Sequence, residues 1–257
     1  MERAKQGEFA TIDLAAKDFG GQTEFYEALF GWTHTDMPTE KGPYRLFAKD
    51  GGAVAGAFPM APDMIAAGVP STWNTYVAVD DVDATAEKAV TLGGQIAMPA
   101  VDAAGYGRFA GITDPTGAAV FLWRSAAPDS SAIYKQPGAL AWNDLSSWDP
   151  VKAVEFYKEL FGWDVEAMEG GPMAYWMITV EGEGQAGIMP MPEMMSPETP
   201  SNWLVYFGAE DAHAVTERAI ALGGSAVVEP MDTAGMVWSV LTDPAGATFA
   251  ILQTTSA

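Results

Sequence analysis

Two aspartates stand at equivalent places in this sequence. Asp13, in Asp13-Leu14, recurs as Asp144, in Asp144-Leu145, 144 − 13 = 131 residues on. A carboxylate enclosed by protein must be paired or hydrogen-bonded, or its pKa rises. Such a group can anchor a ligand hydroxyl or amine, or act as a general acid or base. It can equally serve the fold, by holding a backbone amide or a tyrosine hydroxyl. Tyr44 recurs as Tyr175 at the same spacing, 175 − 44 = 131. Each offers a ring to stack on a planar ligand and a hydroxyl to donate. His34 and His213 do not occupy matched positions, and both read as ordinary surface residues. With no cysteine in the chain, thiolate nucleophiles, thiolate metal sites and disulfides are excluded.

The elements that position these residues are themselves repeated. Phe25-Tyr26-Glu27-Ala28-Leu29-Phe30-Gly31-Trp32 returns as Phe156-Tyr157-Lys158-Glu159-Leu160-Phe161-Gly162-Trp163, at 156 − 25 = 131. Leu92-Gly93-Gly94 returns as Leu222-Gly223-Gly224, at 222 − 92 = 130, and Thr113-Asp114-Pro115 as Thr242-Asp243-Pro244, at 242 − 113 = 129. Chance matches would not hold register this way, so the chain is one unit written twice, over 7–125 and 138–254. The period suits complete domains, expected over 1–128 and 138–257, with 126–137 as a linker.

Within the second copy, 141–145 reads as a strand. Asp149 is a helix N-cap, and Pro150 sits at the first helical position. Val151, Val154, Phe156, Tyr157, Leu160 and Phe161 supply an apolar face, and Gly162 closes the helix. Strands follow over 163–167, 174–180 and 185–189. The pattern restarts with a strand at 203–207, a helix at 211–222 and strands near 225–228, 237–242 and 248–253. Each half is therefore βαβββ followed by βαβββ. The fold class is α+β, with four such modules.

Thirteen basic residues against 34 acidic ones give a net charge of −21, which excludes nucleic acid and an anionic membrane surface as partners. Solubility is the expected use of this charge. No apolar run approaches the roughly 20 residues of a membrane span, and Met1 to Gln6 lacks the apolar core of a secretory signal. A cytoplasmic protein is expected, and a monomer, since paired halves can supply one another's contacts.

The Phe-Tyr-x-x-Leu-Phe-Gly-Trp helix end, the Leu-Gly-Gly and the late Asp-Pro turn together resemble the vicinal oxygen chelate superfamily. Its members include glyoxalase I, bleomycin-resistance proteins and extradiol dioxygenases. The resemblance implies paired modules forming open eight-stranded barrels around small-molecule cavities. It also implies inward positions where metal-using members carry His or Glu. Here those positions hold Thr11, Asn74 and Phe121 in the first half, and Trp142, Leu204 and Ala250 in the second. Trp, Leu, Phe and Ala cannot bind a divalent cation, and Thr or Asn alone is a weak ligand. The family's metal is therefore expected to be absent, with no other cofactor, and no residue is assigned as catalytic.

Strand alternation extends the inward set. If Thr11 and Trp142 face inward, so do Asp13 and Asp144. Tyr76 shares a face with Asn74, Tyr206 with Leu204, Trp123 with Phe121 and Leu252 with Ala250. With Tyr44 and Tyr175, these residues make aromatic walls holding a few polar groups, as in drug-binding members of the family. The first half is the more polar site. The expected function is metal-independent binding of a small aromatic or apolar molecule. The alternatives are a metal-free isomerase, lyase or cyclase using a cavity Asp with a Tyr, a glyoxalase-type metalloenzyme with other ligands, or a non-catalytic interaction module.

Overall fold

The computed structural model describes residues 4–39, 42–103, 105–127, 132–171, 173–233 and 235–254. The first module comprises β1 (Phe9–Ala16), α1 (Phe19–Phe30), β2 (Thr33–Thr39), β3 (Gly42–Lys49) and β4 (Gly52–Pro59). A short helix, α2 (Pro62–Ala66), leads to β5 (Thr72–Ala78), α3 (Val82–Thr91), β6 (Gln95–Asp102), β7 (Gly107–Thr113) and β8 (Ala119–Ser125). The third module is β9 (Leu140–Ser147), α4 (Pro150–Phe161), β10 (Asp164–Ala167), β11 (Trp176–Val180) and β12 (Glu183–Pro190). The fourth is β13 (Asn202–Gly208), α5 (Ala212–Ala221), β14 (Ser225–Thr233), β15 (Met236–Thr242) and β16 (Thr248–Thr254). The α+β class and the fourfold βαβββ pattern are those expected.

Local chemistry sets the helix ends. The Asp18 and Asp149 side chains accept from the backbone N–H of Gly21 and Lys152, and Pro150 opens α4. Gly31 and Gly162 follow the last helical turn at φ 71° and 76°, a left-handed conformation that other residues adopt only with strain. Two expectations shift. β14 runs on to Thr233, well past the expected end near Val228. β11 begins at Trp176, leaving Tyr175 just ahead of the strand. α2, opened by Pro62, is too short to show a helical period in the sequence.

The strands form two eight-stranded sheets, ordered β2-β3-β4-β1-β5-β8-β7-β6 and β10-β11-β12-β9-β13-β16-β15-β14. In every module the first strand lies parallel to the last, and the others join as antiparallel hairpins. By its contacts the chain divides into two compact units. One comprises Met1–Ala10, Thr75–Ser131 and Asn143–Leu204; the other comprises Thr11–Asn74, Ala132–Trp142 and Val205–Ala257. We call these the inner and outer units, after the middle and terminal modules they contain. Each draws one module from either half.

Part of the expected linker is fastened into the outer unit. The Ile133 N–H donates to the Ala53 carbonyl at 2.8 Å, and Pro137 bridges Gly208. Residues 128–131 of that stretch lie outside the described residues. No helix among the described residues is long and apolar enough to cross a membrane.

Each unit has its own aromatic core. In the outer unit Tyr26, Phe30, Trp32, Trp73, Phe207 and Phe249 are buried against one another. The turn at Gly31 returns Trp32 onto Tyr26, with ring centroids 6.2 Å apart. Its indole N–H donates to the Gly138 carbonyl at 2.8 Å. In the inner unit Trp163 stacks on Tyr157 at 5.4 Å and donates to Gly7, the counterpart of Gly138, at 2.7 Å.

Among the places where the cores differ is a buried polar pair. The inner unit holds Thr75 and Asn143, joined by a 3.0 Å hydrogen bond, and the Asn143 Nδ2 has no partner among the described residues. The counterpart positions in the outer unit, 143 − 131 = 12 and 75 + 130 = 205, are Ile12 and Val205, both wholly buried. A buried unsatisfied amide costs about 1–3 kcal/mol. The double variant T75V/N143I, which copies the outer unit, should therefore be more stable than wild type by about that amount in urea denaturation. Loss of stability would refute this account of the pair.

Candidate functional site

Asp13 on β1 is 3% exposed and Asp144 on β9 is 6% exposed. Asn74 Nδ2 donates to Asp13 Oδ1 at 2.8 Å, and the Tyr44 hydroxyl approaches Oδ2 at 3.4 Å. The Tyr175 hydroxyl donates to Asp144 Oδ1 at 2.8 Å. Both aspartates therefore hold a tyrosine hydroxyl, one of the fold-serving roles open to them from sequence.

The parallel pairing of the first and last strands explains how each tyrosine reaches its aspartate. Gly56 on β4 lies opposite Asp13, and Gly187 on β12 lies opposite Asp144. The hydroxyls of Tyr44 and Tyr175 rest over these glycines, where any Cβ would overlap the phenol. Tyr44 keeps part of its ring open, but its hydroxyl end is enclosed. Burial, and then the neighbouring Asp13 carboxylate, push its pKa well above that of an ordinary phenol. It therefore stays protonated and donates.

A second group lies in the inner unit. Tyr76 on β5 stands opposite Phe121 on β8, and Trp123 stands opposite Phe109 on β7. Tyr76 and Phe121 stack with centroids 4.9 Å apart, and Trp123 meets Tyr76 edge-on at 6.4 Å. Phe109, Phe121 and Trp123 are half-buried, so ring surface stays open to solvent. Gly111 and Gly107 clear space for these rings: a Cβ at Gly111 would lie 3.1 Å from Phe121, and one at Gly107 would press on Trp123. At the counterpart positions the stack is gone. Tyr206 stands opposite Ala250, and Leu252 opposite Trp238.

Thr11 on β1, Trp142 on β9 and Leu204 on β13 are half-buried, and Tyr206 is buried. The structure thus joins Asp13, Tyr44 and Asn74 in the outer unit. In the inner unit it joins Asp144 with Tyr175, and Tyr76 with Phe121 and Trp123. The residues at the implied metal positions do not fit a divalent cation. No group of three His, Cys, Asp or Glu among the described residues could hold one. His34 faces Glu27 at 2.5 Å, and His213 is exposed on α5.

Sequence reasoning passed over Gly56, Gly187, Gly107, Gly111 and Phe109. Gly56 and Gly187 were detectable, since 187 − 56 = 131. It also read the Asp-Pro motif only as a turn. Asp243 reaches the Tyr26 hydroxyl at 3.1 Å, while Trp73 Nε1 donates to that hydroxyl at 2.9 Å. Trp203 Nε1 donates likewise to Tyr157, close to Asp114, at 3.1 Å. Burial chiefly, and then the adjacent carboxylate, raise the pKa of Tyr26 and Tyr157 far above normal.

Comparison with known proteins agrees with this architecture. The family described as "Glyoxalase/Bleomycin resistance protein/Dioxygenase superfamily" matches residues 8–122, and the one described as "Glyoxalase-like domain" matches residues 144–252. "Putative glyoxylase CFP32" of Mycobacterium tuberculosis is 38% identical over 97% of this chain and 95% of its own. The chain belongs to the glyoxalase/bleomycin resistance/dioxygenase superfamily. "Anthracycline biosynthesis protein DnrV" of Streptomyces peucetius, also similar, is 31% identical over 98% of this chain and 95% of its own. Two solved structures share the fold. The Mn(II)-bound glyoxalase from Novosphingobium aromaticivorans matches at TM-score 0.69 and 17% identity, over 100% of this chain and 84% of that one. The 2,2',3-trihydroxybiphenyl 1,2-dioxygenase from Sphingomonas wittichii matches at TM-score 0.66 and 12% identity, over 98% and 91%.

The raised phenol pKa values have a consequence for stability. Tyr26, Tyr44 and Tyr157 ionise more readily in the unfolded chain than in the folded one, so their contribution is complete below about pH 10. Above that pH the unfolded state loses protons that the folded state keeps. Stability should then fall by about 1.4 kcal/mol per pH unit for each buried phenol. Denaturant melts between pH 9 and about pH 11.5 should show this slope, and Tyr44→Phe should make it shallower. A flat profile would contradict the assignment.

Proposed function

We propose that the protein binds a planar, largely apolar organic molecule on the open ring faces of Phe109, Phe121 and Trp123, backed by Tyr76, without a family-type metal. The stacked and half-buried ring set carries this reading. Aromatic surface held rigid by strands, and cleared by glycines, suits a flat ligand that slides over the rings and displaces water. The inward positions that would supply metal ligands in the family are Thr, Asn, Phe, Trp, Leu and Ala, whose chemistry favours packing over coordination. The name of one relative, an anthracycline biosynthesis protein, points the same way.

A second reading rests on Asp13. It is buried, with Asn74 and Tyr44 aimed at it, and a protonated Tyr44 leaves the carboxylate as the proton acceptor of the group. A metal-free isomerase or lyase could use it. Asp13→Asn keeps the shape and removes the base. It would abolish turnover on that reading, but it leaves binding at the rings intact on the first.

Binding is measured by quenching of tryptophan fluorescence with a series of planar aromatic compounds. Phe121→Ala and Trp123→Ala should each weaken the tightest of them about tenfold or more, the scale of a lost stacking partner with its buried area. Circular dichroism monitors the fold, and Leu252→Ala, at the counterpart of Trp123, is the control. Equal affinity in both variants would sink the proposal. So would stoichiometric Zn, Mn, Ni or Fe retained after loading and dialysis.

A further inference from the structure

The two units meet one hydrogen-bonding requirement differently. In the outer unit the Gln22 carboxamide is a bridge. Its Oε1 accepts from the Asp18 N–H at 3.1 Å and the Ser71 hydroxyl at 2.9 Å, and its Nε2 donates to Asp243 Oδ2 at 2.6 Å. In the inner unit the counterpart of Gln22 is Ala153, at 22 + 131 = 153.

The frame around the missing carboxamide is kept. Ser201 accepts from the Trp148 N–H at 3.2 Å, as Ser71 does from Lys17 at 3.0 Å. Asp114 Oδ1 accepts from the N–H groups of Thr116 and Ala118 at 2.7 and 3.1 Å, as Asp243 Oδ1 does from Ala245 and Ala247 at 2.9 and 3.0 Å. Trp203 meets Tyr157 as Trp73 meets Tyr26.

Of the three bonds that Gln22 makes, one has a substitute. The Asp149 N–H donates to the Ser147 hydroxyl at 3.2 Å, and the counterpart of Ser147 is Ala16, which has no hydroxyl. The other two have none. Asp114 Oδ2 is buried without a hydrogen-bond partner among the described residues. The Tyr157 hydroxyl lies beside the Asp114 carboxylate, but nothing replaces the second donor that Gln22 gives Asp243. Ser201 is 2% exposed, and its hydroxyl proton has lost the acceptor that Gln22 gives Ser71.

We propose that one internal water occupies the place of the carboxamide, accepting from the Ser201 hydroxyl and donating to Asp114 Oδ2. A buried carboxylate oxygen requires a donor, and a serine hydroxyl requires an acceptor. Water is both, and its share of liquid volume, about 30 Å³, is smaller than the side chain removed. A metal or ammonium ion has no lone pair to offer Ser201. The inner unit thus carries a built hydration site where the outer unit carries a side chain.

High-resolution crystal structures of the full chain test this, with oxygen-17 relaxation dispersion counting long-lived internal waters in solution. In wild type, one water should lie within hydrogen-bond distance of Ser201 Oγ and Asp114 Oδ2. In the double variant Ala153→Gln/Ser147→Ala, which reproduces the pair in the outer unit, the carboxamide should replace it and the count should fall by one. Ser201→Ala adds no volume and should lose or displace the same water. A dry site with Tyr157 turned onto Asp114 Oδ2 would overturn the proposal. So would an unmoved water in Ser201→Ala, or a melting point raised by potassium or ammonium but not by tetramethylammonium.

Discussion

Two phenols must be buried without losing their hydrogen bonds, and this requirement ties the chain together. Tyr26 and Tyr157 sit at the centres of their units, where a bare hydroxyl would be costly. Each takes a tryptophan N–H from the start of the next module and lies beside an aspartate from the opposite half. The Asp-Pro turn, the Phe-Tyr helix and the Gly-Trp return are therefore parts of one arrangement. The same crossing governs the indoles, since Trp32 answers to Gly138 and Trp163 to Gly7. Recurrence of these residues reflects mutual need as much as shared descent.

Against that constant frame, the proposed binding surface lies at positions that differ between the halves. The Asp, Gly and Tyr clamp is present twice, which marks it as a means of joining the first strand to the last. What differs is the company it keeps: Asn74 faces Asp13, while the counterpart position holds Leu204. The ring stack around Phe121 has no echo at Ala250. Glycines at 107 and 111 make room for large rings in one module, while Met236 and Val240 stand at the counterpart positions. The small residues and the large rings thus change together, space opening where rings enlarge.

Much of the fold was legible because its signals are local. Asp149, Pro150 and Gly162 specify a helix without reference to anything distant, and the repeat confirmed them. Asp13 and Asp144 were legible as buried groups by their recurrence. Their partners were not, because the reach of Tyr44 depends on Gly56, whose contribution is the absence of a side chain. The pairing of Tyr26 with Asp243, and not with Asp114 of its own half, was hidden for a different reason. Within one half the sequence carries both members, and nothing local states which partner is used. Residues 126–137 looked like a tether because they fall between the two copies of the repeat, yet Ile133 and Pro137 pair with the backbone of the outer unit.

The crossing contacts are also a timetable. Tyr26 and Asp243 are 217 residues apart. At ribosomal speeds of about 5–20 residues per second, roughly 10–40 s separate their synthesis. Through that interval the aromatic face of α1 exists without the strand that buries it. Contacts so distant in sequence slow folding, because the chain must be ordered before they form. Newborn chains of this protein therefore hold an exposed, sticky helix longer than two independent domains would. The demand falls on chaperones in the cell, and on slow, dilute refolding in the test tube.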